Sequence, residues 1–328
     1  DLIVGTHGRG IWILDDITFL QVLPTVDLQK PAYLLPLRPA LLFDTIRTRI
    51  TLGDKPFRAE NPPYGALITY YLREPPDERV EVKIQILRPD GKVIRELKKL
   101  PREKGLNRIA WDLRYEPPRP RREAEEGEVS FFGAPRGPRV LPGTYTVKLI
   151  VGPDEWTQTV DVRLDPTLDV SASDLQAAHD TALRLRDMMS GLNDALRALD
   201  SVEAQAKQLQ SALRTATGKA PDEVTRALQE TLQGVETLRK ELVRDTTLAY
   251  GYGPKLLDHV RSLFSDIDQV LAAPTPYQMA FFRQLQAEYK AQVGKVYESL
   301  RDAAQQVNDL LQKHGLGGGL LVGKPPQE

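Results

Sequence analysis

The placement of proline constrains this chain most, because it divides the 328 residues into halves of different character. Residues 1–166 hold 19 of the 25 prolines and all three tryptophans, and the six other prolines lie at helix starts, in linkers or in the tail. Proline cannot continue a helix or donate a hydrogen bond to a sheet ladder, so it marks the ends of elements. The first half is therefore predicted to form short strands with many turns and the second half long helices, which is typical of separate domains.

Composition limits the chemistry that the chain can carry. The 44 Lys and Arg nearly balance 45 Asp and Glu, so no excess of basic charge points to nucleic acid or to an anionic membrane surface. The absence of cysteine excludes disulfides, thiolate-bound metals and thiol catalysis, and four histidines argue against a His-rich metal site. No run of about 18 apolar residues occurs, so we expect no membrane span.

A β-hairpin is predicted over residues 1–20. Two apolar runs, Leu2–Val4 and Ile11–Leu14, flank the segment Gly5–Gly10, whose three glycines permit a tight turn with positive φ. A hairpin alone is marginally stable, so this one requires a larger sheet. The chain starts inside the first strand, and we expect an upstream part of the protein to supply that sheet.

Two proline-rich segments are predicted to be mainly irregular. Residues 21–64 carry seven prolines and are assigned as a connector, in which Tyr33–Leu35 and Leu41–Ile46 are candidate edge strands. Residues 116–142 are rich in Pro, Arg and Glu, and their mixed charges favour a solvated, flexible insertion.

Residues 65–166 show a regular rhythm of strands and turns. Val80–Ile86 alternates strictly between apolar and polar side chains, as a half-buried strand does. Pro89-Asp90-Gly91 is a turn in which proline presets φ and glycine accepts a positive φ. About seven short strands over roughly 100 residues predict an immunoglobulin-like β-sandwich.

Residues 167–316 change to a heptad period and are predicted to form an antiparallel helical bundle or coiled-coil rod. Apolar residues step by three and four from Leu175 to Leu199, slip near Asp200-Ser201, and resume at Val202. The pattern predicts four helical segments, at about 173–216, 221–248, 254–272 and 276–314. Their lengths favour a rod of three arms whose middle arm is broken, with a four-helix bundle as the alternative.

The last helix has the clearest ends. Thr275-Pro276-Tyr277-Gln278 is similar to a capping box, with proline at the first helical position. Lys313-His314-Gly315 is a typical stop, in which cationic residues precede a glycine. The remaining residues, 317–328, are predicted to be a disordered tail.

Three motifs resemble those of a known family. Residues 1–16 resemble the closing blade of bacterial BNR-repeat, sortilin-like β-propeller proteins, often labelled glycosyl hydrolases or WD40/YVTN/BNR-like. Residues 80–166 look like the domain that follows the propeller there, and they also resemble the immunoglobulin-like domain of flagellar hook-capping proteins. The shared elements are Pro89–Arg95, Gly105–Arg114 and Leu141–Val147. The resemblance implies an upstream β-propeller, a sandwich and a helical tail, and it implies export to the periplasm or the extracellular space.

No catalytic, cofactor or metal site is predicted in this chain. Asp15 and Asp16 are adjacent, so on a strand they point to opposite faces, unlike the facing carboxylates of a glycosidase. Gly5–Gly10 lacks the Gly-Lys-Ser/Thr ending of a phosphate loop and is not followed by a helix. The chain also lacks the Ser-x-Asp-x-Gly-x-x-Trp boxes of propeller sialidases. The residues predicted as possible partner contacts are His7, Arg9, Phe131, Phe132, Tyr250 and Tyr252.

The sequence favours a non-catalytic function. On this hypothesis the chain is the C-terminal accessory region of a propeller protein, and it positions the propeller or binds a protein or carbohydrate partner. The alternative is a supporting part of an exported, sialidase-like glycoside hydrolase whose catalytic residues lie upstream. A third hypothesis is a scaffolding or adhesion protein without any enzyme activity.

Overall fold

A computed structural model describes residues 1–8, 10–44, 61–122, 136–217, 221–244 and 253–325. These residues belong to two compact units. The sheet unit comprises 1–116 and 136–179, and the helical unit comprises 117–135 and 180–328. The fold is therefore a combination of β-sheets and long helices, and the longest helix spans residues 172–217.

In the described residues of the sheet unit, the regular structure consists of ten strands and one short helix, apart from the start of the longest helix. The strands are β1 (Leu2–Thr6), β2 (Gly10–Leu14), β3 (Ala32–Leu34), β4 (Ala40–Leu42), β5 (Ala66–Leu72), β6 (Val82–Leu87), β7 (Val93–Leu97), β8 (Gly105–Trp111), β9 (Gly143–Val151) and β10 (Asp154–Leu164). The short helix is α1 (Thr18–Val22), and a 3-10 turn, Leu23–Thr25, follows it. Where about seven short strands were predicted between residues 65 and 166, the described part of the chain has six, β5 to β10.

Three sheets result from the pairing. β1 and β2 form a hairpin on their own, β3-β5-β8 form a three-stranded sheet, and β4-β10-β9-β6-β7 form a five-stranded sheet. All neighbours are antiparallel except β4 and β10, which run parallel. The predicted connector thus contributes β3 to one sheet and β4 to the other, because its short apolar groups find free edges there.

The core of the sheet unit consists of the inward faces of the two larger sheets. β6 alternates between buried and half-buried side chains, so its predicted apolar and polar periodicity is confirmed. Trp111 of β8 is fully buried, and its ring meets the ring of Tyr145 of β9 edge-on at a centroid distance of 5.4 Å. The two sheets therefore share one apolar core, to which both aromatic rings contribute.

After the strands, the described residues form four helices. They are α2 (Ala172–Thr217), α3 (Asp222–Leu242), α4 (Leu256–Asp268) and α5 (Pro276–Lys313). The predicted capping box is confirmed, because Thr275 Oγ1 accepts from the Gln278 amide at 3.2 Å and Gln278 Oε1 accepts from the Thr275 amide at 2.8 Å. α2 continues unbroken through Asp200-Ser201, where the heptad pattern slips.

The helices of the helical unit run in two directions. Contacts between α2 and α5 advance together along both helices, from Thr181 with Met279 to Gly191 with Tyr289, so α2 and α5 are parallel. α3 runs the opposite way, because Lys313 near the end of α5 pairs with Glu223 near the start of α3, and Lys295 earlier in α5 pairs with Glu241 at the end of α3. α4 also packs against α5.

Burial on α2 is wider than one heptad seam predicts. Between residues 188 and 196 every side chain except half-buried Asp194 is buried, including Ser190 and Asn193. The segment 117–122 covers part of this region of α2. It was predicted to belong to a solvated insertion, but it contacts the helix instead. The Arg119 amide donates to Ser190 Oγ at 3.1 Å, and Asn193 Nδ2 donates to the Arg119 carbonyl at 2.7 Å.

An ion-pair cluster joins the same segment to α2 and α3. Arg121 donates to both carboxylate oxygens of Asp200, at 2.7 and 2.8 Å. Arg239 of α3 pairs with Asp200 at 3.0 Å and also with Glu203. Burial opposes ionisation of Asp200, but its pairs with Arg121 and Arg239 outweigh burial and lower the pKa of that carboxyl. Hydrogen bonds from Lys207 and Arg239 lower the pKa of Glu203.

This cluster predicts an acid-dependent contribution to stability. Because both pKa values are lower in the folded state, the contribution is complete above the unfolded values of about 4 and is lost as pH falls through the lowered folded values. Arg239→Met should therefore lower the melting temperature near neutral pH, and the difference from wild type should shrink below a pH of about 4. Thermal unfolding of both proteins across this pH range measures the difference in melting temperature.

Lys240→Met is the matched control for that prediction. Lys240 lies beside Arg239 on α3 but pairs with Glu236 on the surface of the same helix. Exposed pairs of this kind contribute about 0.3–0.5 kcal/mol, so this variant should differ little from wild type at any pH. A difference for Arg239→Met that stayed constant from neutral pH to about pH 3 would contradict the assigned role of the carboxylates.

The C-terminal segment differs from the prediction of disorder. Leu320 is 2% exposed, and hydrogen bonds from α2 and α5 hold the backbone of residues 320 and 321. Sequence-based reasoning weighed the run Gly317-Gly318-Gly319 as flexible and gave no weight to the apolar side chain that follows it. Residues 326–328 lie outside the described residues.

Candidate interaction surface

Among the described elements, the β1–β2 hairpin carries the most exposed large apolar side chains. All ten of its residues are exposed. Seven large apolar side chains on it are between 41% and 73% exposed: Leu2, Ile3, Val4, Ile11, Trp12, Ile13 and Leu14. A contiguous exposed apolar patch on a protein surface marks an interaction site more often than scattered single residues do.

Both faces of the hairpin are apolar. The register pairs Val4 with Trp12 on one face and Ile3 with Ile13 on the other. An ordinary surface hairpin alternates between an apolar and a polar face, whereas a strand that is covered on both faces is apolar throughout. The hairpin therefore has the side-chain pattern of strands in the interior of a larger structure.

The turn of the hairpin is built as the sequence predicted. Gly8 and Gly10 have φ values of +71° and +113°, which confirms the positive φ expected there. Thr6 Oγ1 donates to the Gly10 carbonyl at 3.0 Å and closes the turn. These contacts give the hairpin a defined local geometry without covering either face.

Arg108 of β8 anchors the base of the hairpin. Its guanidinium donates to the carbonyls of Asp15 and Asp16 at 2.8 and 2.9 Å, and its Nε donates to Thr69 Oγ1 at 3.2 Å. It also lies over the ring of Phe19, with Cζ 4.8 Å from the ring centroid. A planar guanidinium with five donors is suited to such a junction, because it bonds two carbonyls and stacks at once.

Asp16 completes the anchor. Its backbone has a φ of +51°, unusual for a residue other than glycine, and its amide donates to the Asp1 carboxylate at 2.9 Å. Its own carboxylate accepts from the Thr18 amide at 3.1 Å and so opens α1. Arg38 pairs with Asp1 at 3.1 Å. The hairpin is thus held to the sheet unit at its base while its faces stay open.

The structure places one of the six predicted contact residues beside this surface. His7 is exposed in the hairpin turn. Arg9, Phe131, Phe132, Tyr250 and Tyr252 lie outside the described residues. Sequence-based reasoning missed Arg108 and Arg38, because no local pattern shows that Arg108 meets residues 92 and 93 positions away or that Arg38 meets a residue 37 positions away. The only signal was a pair of aspartates directly after an apolar strand.

Two aspartates after β2 and two buried tyrosines take part in structural hydrogen bonds. The Asp16 carboxylate accepts from the Thr18 amide at the start of α1, and the Asp15 carbonyl accepts from Arg108. Burial raises the pKa of Tyr70 to about 12, and its hydroxyl donates to the Pro101 carbonyl. Burial likewise raises the pKa of Tyr145, whose hydroxyl donates to the Leu141 carbonyl at 2.8 Å.

The described residues contain neither a metal-ligand group nor a membrane-spanning helix. No three His, Asp or Glu side chains among them lie together in a way that could hold a metal ion. Within that same part of the chain, no helix combines the length and apolar character needed to cross a membrane.

Comparison with known proteins adds no relative, since no protein-family model and no curated protein matches this chain.

Proposed function

We propose that this chain is a non-catalytic accessory region of an exported β-propeller protein. On this proposal the β1–β2 hairpin contributes two strands to a blade of the propeller, and the sheet and helical units position that propeller or bind a protein or carbohydrate partner. The single observation that carries the proposal is the hairpin, which is apolar on both faces, exposed on both faces and anchored at its base.

The assignment of the hairpin to a propeller blade rests on two requirements, namely strand partners at its edges and cover on both of its faces. Two-stranded hairpins are marginally stable in water, and the outer edges of β1 and β2 have no strand partner among the described residues. A propeller blade is a small sheet that lies between neighbouring blades, so it offers strands at the edge and cover on both faces. Burial of each large apolar side chain stabilises such a union by about 1.5–3 kcal/mol.

The strand order supports an immunoglobulin-like sandwich as part of the proposal. In that fold the second and fifth strands pair in one sheet, and the third, sixth and seventh form the other. With β3 and β4 taken as the two halves of the first strand, β5 and β8 pair in one sheet. β6, β9 and β10 lie together in the other sheet.

A tyrosine contact supports the same proposal. Immunoglobulin-like domains carry a tyrosine near the start of the sixth strand whose hydroxyl bonds to the backbone a few residues upstream. Tyr145 is the third residue of β9, and its hydroxyl donates to the Leu141 carbonyl, four residues upstream, at 2.8 Å.

The helical contacts favour a rod of three arms as the form of the helical unit. α2 and α5 supply two parallel arms, and α3 and α4 in succession supply the antiparallel third, because α3 pairs with the end of α5 and α4 packs beside its start. His259 of α4 meets Phe281, near the start of α5, at a centroid distance of 5.7 Å. A rod of this kind acts as a spacer or as a platform for a partner.

The proposal is tested by Trp12→Ser in two contexts. In the 328-residue chain Trp12 is exposed, so the free energy of unfolding should change by no more than about 0.5 kcal/mol. In a polypeptide that also carries the encoded upstream sequence, Trp12 becomes a buried blade residue, and the same change should cost about 3–5 kcal/mol. Urea unfolding followed by circular dichroism measures both values.

Tyr277→Ser is the matched control, because Tyr277 is an exposed aromatic residue of α5 that the proposal leaves exposed in both polypeptides. It should be neutral in both. The proposal is wrong if the upstream sequence leaves the effect of Trp12→Ser unchanged, or if that sequence forms no propeller.

A further inference from the structure

The chain reverses direction after α5 in a way that returns it along the helix. Gly315 has a φ of +64°, and its amide donates to the Gln312 carbonyl at 3.1 Å. The Leu316 amide donates to the Leu311 carbonyl at 2.9 Å, which completes a Schellman motif. Residues 317–323, named here the tail, then run back beside α5 and α2.

Two amide side chains hold the tail by its backbone. Asn308 of α5 accepts from the Leu320 amide at 2.7 Å and donates to the Leu320 carbonyl at 3.0 Å. Gln205 of α2 accepts from the Leu321 amide at 2.8 Å and donates to the Leu321 carbonyl at 3.1 Å. Each amide thus satisfies both backbone groups of one residue, and consecutive residues are held by different helices.

One side chain of the tail is an anchor. Leu320 is 2% exposed, whereas its neighbour Leu321 is 79% exposed. The groove therefore accepts a single apolar side chain, and the next side chain points to solvent.

The two glycines before the anchor lie close to side chains of the groove. A Cβ on Gly319 would lie 2.9 Å from Asn308 Oδ1, and a Cβ on Gly318 would lie 3.2 Å from Leu209 Cδ1. Gly318 also has a φ of +101°. The groove therefore fits an extended segment in which small residues precede one leucine.

We propose that the groove formed by Gln205, Leu209 and Asn308 is a binding site for an extended peptide of the type Gly-Gly-Leu, and that the tail is its intramolecular occupant. Backbone capture by paired amides, with one apolar pocket for specificity, is chemistry that an extended peptide satisfies. The tail blocks this site until it is displaced, so it acts as a latch.

Tethering explains why the occupant is held in place. A short flexible linker gives the tail an effective concentration in the millimolar range, so a free peptide with micromolar affinity competes poorly. Displacement of the tail should then increase the apparent affinity for a free peptide by at least about tenfold, because the competent state becomes the dominant one.

The test is titration of a fluorescein-labelled peptide with the sequence of residues 315–325, followed by anisotropy. Wild type should bind it weakly. Leu320→Asp, which removes the anchor from the groove, should bind it at least about tenfold more tightly. Adding Asn308→Ala to Leu320→Asp should abolish that gain, because the groove loses one of its two amides.

Leu321→Asp is the matched control, since that side chain is already exposed and its variant should behave as wild type. Gly319→Val displaces the tail by overlap with Asn308 and replaces Leu320→Asp if circular dichroism shows that the latter lacks its helices. Equal binding by wild type and by the displaced variant would overturn the proposal. So would equal binding of a peptide whose anchor leucine is aspartate.

Discussion

Leu196→Ala is expected to destabilise the helical unit by about 2–5 kcal/mol. Leu196 lies in the part of α2 that is enclosed on nearly all sides, and its side chain is 0% exposed. Neighbours packed around the full circumference of a helix cannot all move into the vacated space, so a cavity remains and adds to the lost burial.

Urea unfolding followed by far-ultraviolet circular dichroism measures this effect, because α2 to α5 supply most of the helical signal. Leu196→Met conserves volume and should cost less than about 1.5 kcal/mol. Gln208→Ala, on an exposed position of the same helix, should cost within about 0.5 kcal/mol. If Leu196→Ala matched Gln208→Ala, the placement of Leu196 in the core would be wrong.

Gly65→Ala is expected to destabilise the sheet unit by about 2–6 kcal/mol. Gly65 has a φ of +117°, and a Cβ there would lie 1.9 Å from the Trp111 carbonyl oxygen. The obstacle is backbone, and the next residue, Ala66, pairs with Trp111 in the register of β5 and β8. Relief of the overlap therefore requires separation of those strands.

Tryptophan fluorescence during urea unfolding is the measurement, since all three tryptophans lie in the sheet unit. Gly91→Ala separates backbone strain from steric overlap, because Gly91 has a φ of +80° but no described atom within 4 Å of its added Cβ. It should cost only the backbone strain, about 1–2 kcal/mol. Equal losses for the two variants would show that steric overlap at Gly65 contributes nothing.

The hairpin could be predicted from the sequence, but the contacts that anchor its base could not. Two apolar runs around a glycine-rich turn predict the hairpin, because pairing there depends on residues close in sequence. The anchor at its base was beyond prediction, since Arg108 meets Asp15 and Asp16 across more than 90 positions and carries no local signature. The same holds for Gln205 and Leu321, which lie 116 positions apart.

Local chemistry determined the elements of this protein. The alternation in β6, the capping box at Thr275 and the glycine stop after α5 each depend on residues within a few positions, so the sequence by itself specified them. Tertiary structure decided what those elements meet. Only packing at free sheet edges made β3 and β4 into strands of two different sheets, and only a groove between two helices ordered the glycine-rich tail. The free energy of those contacts comes from distant partners, which no local pattern encodes.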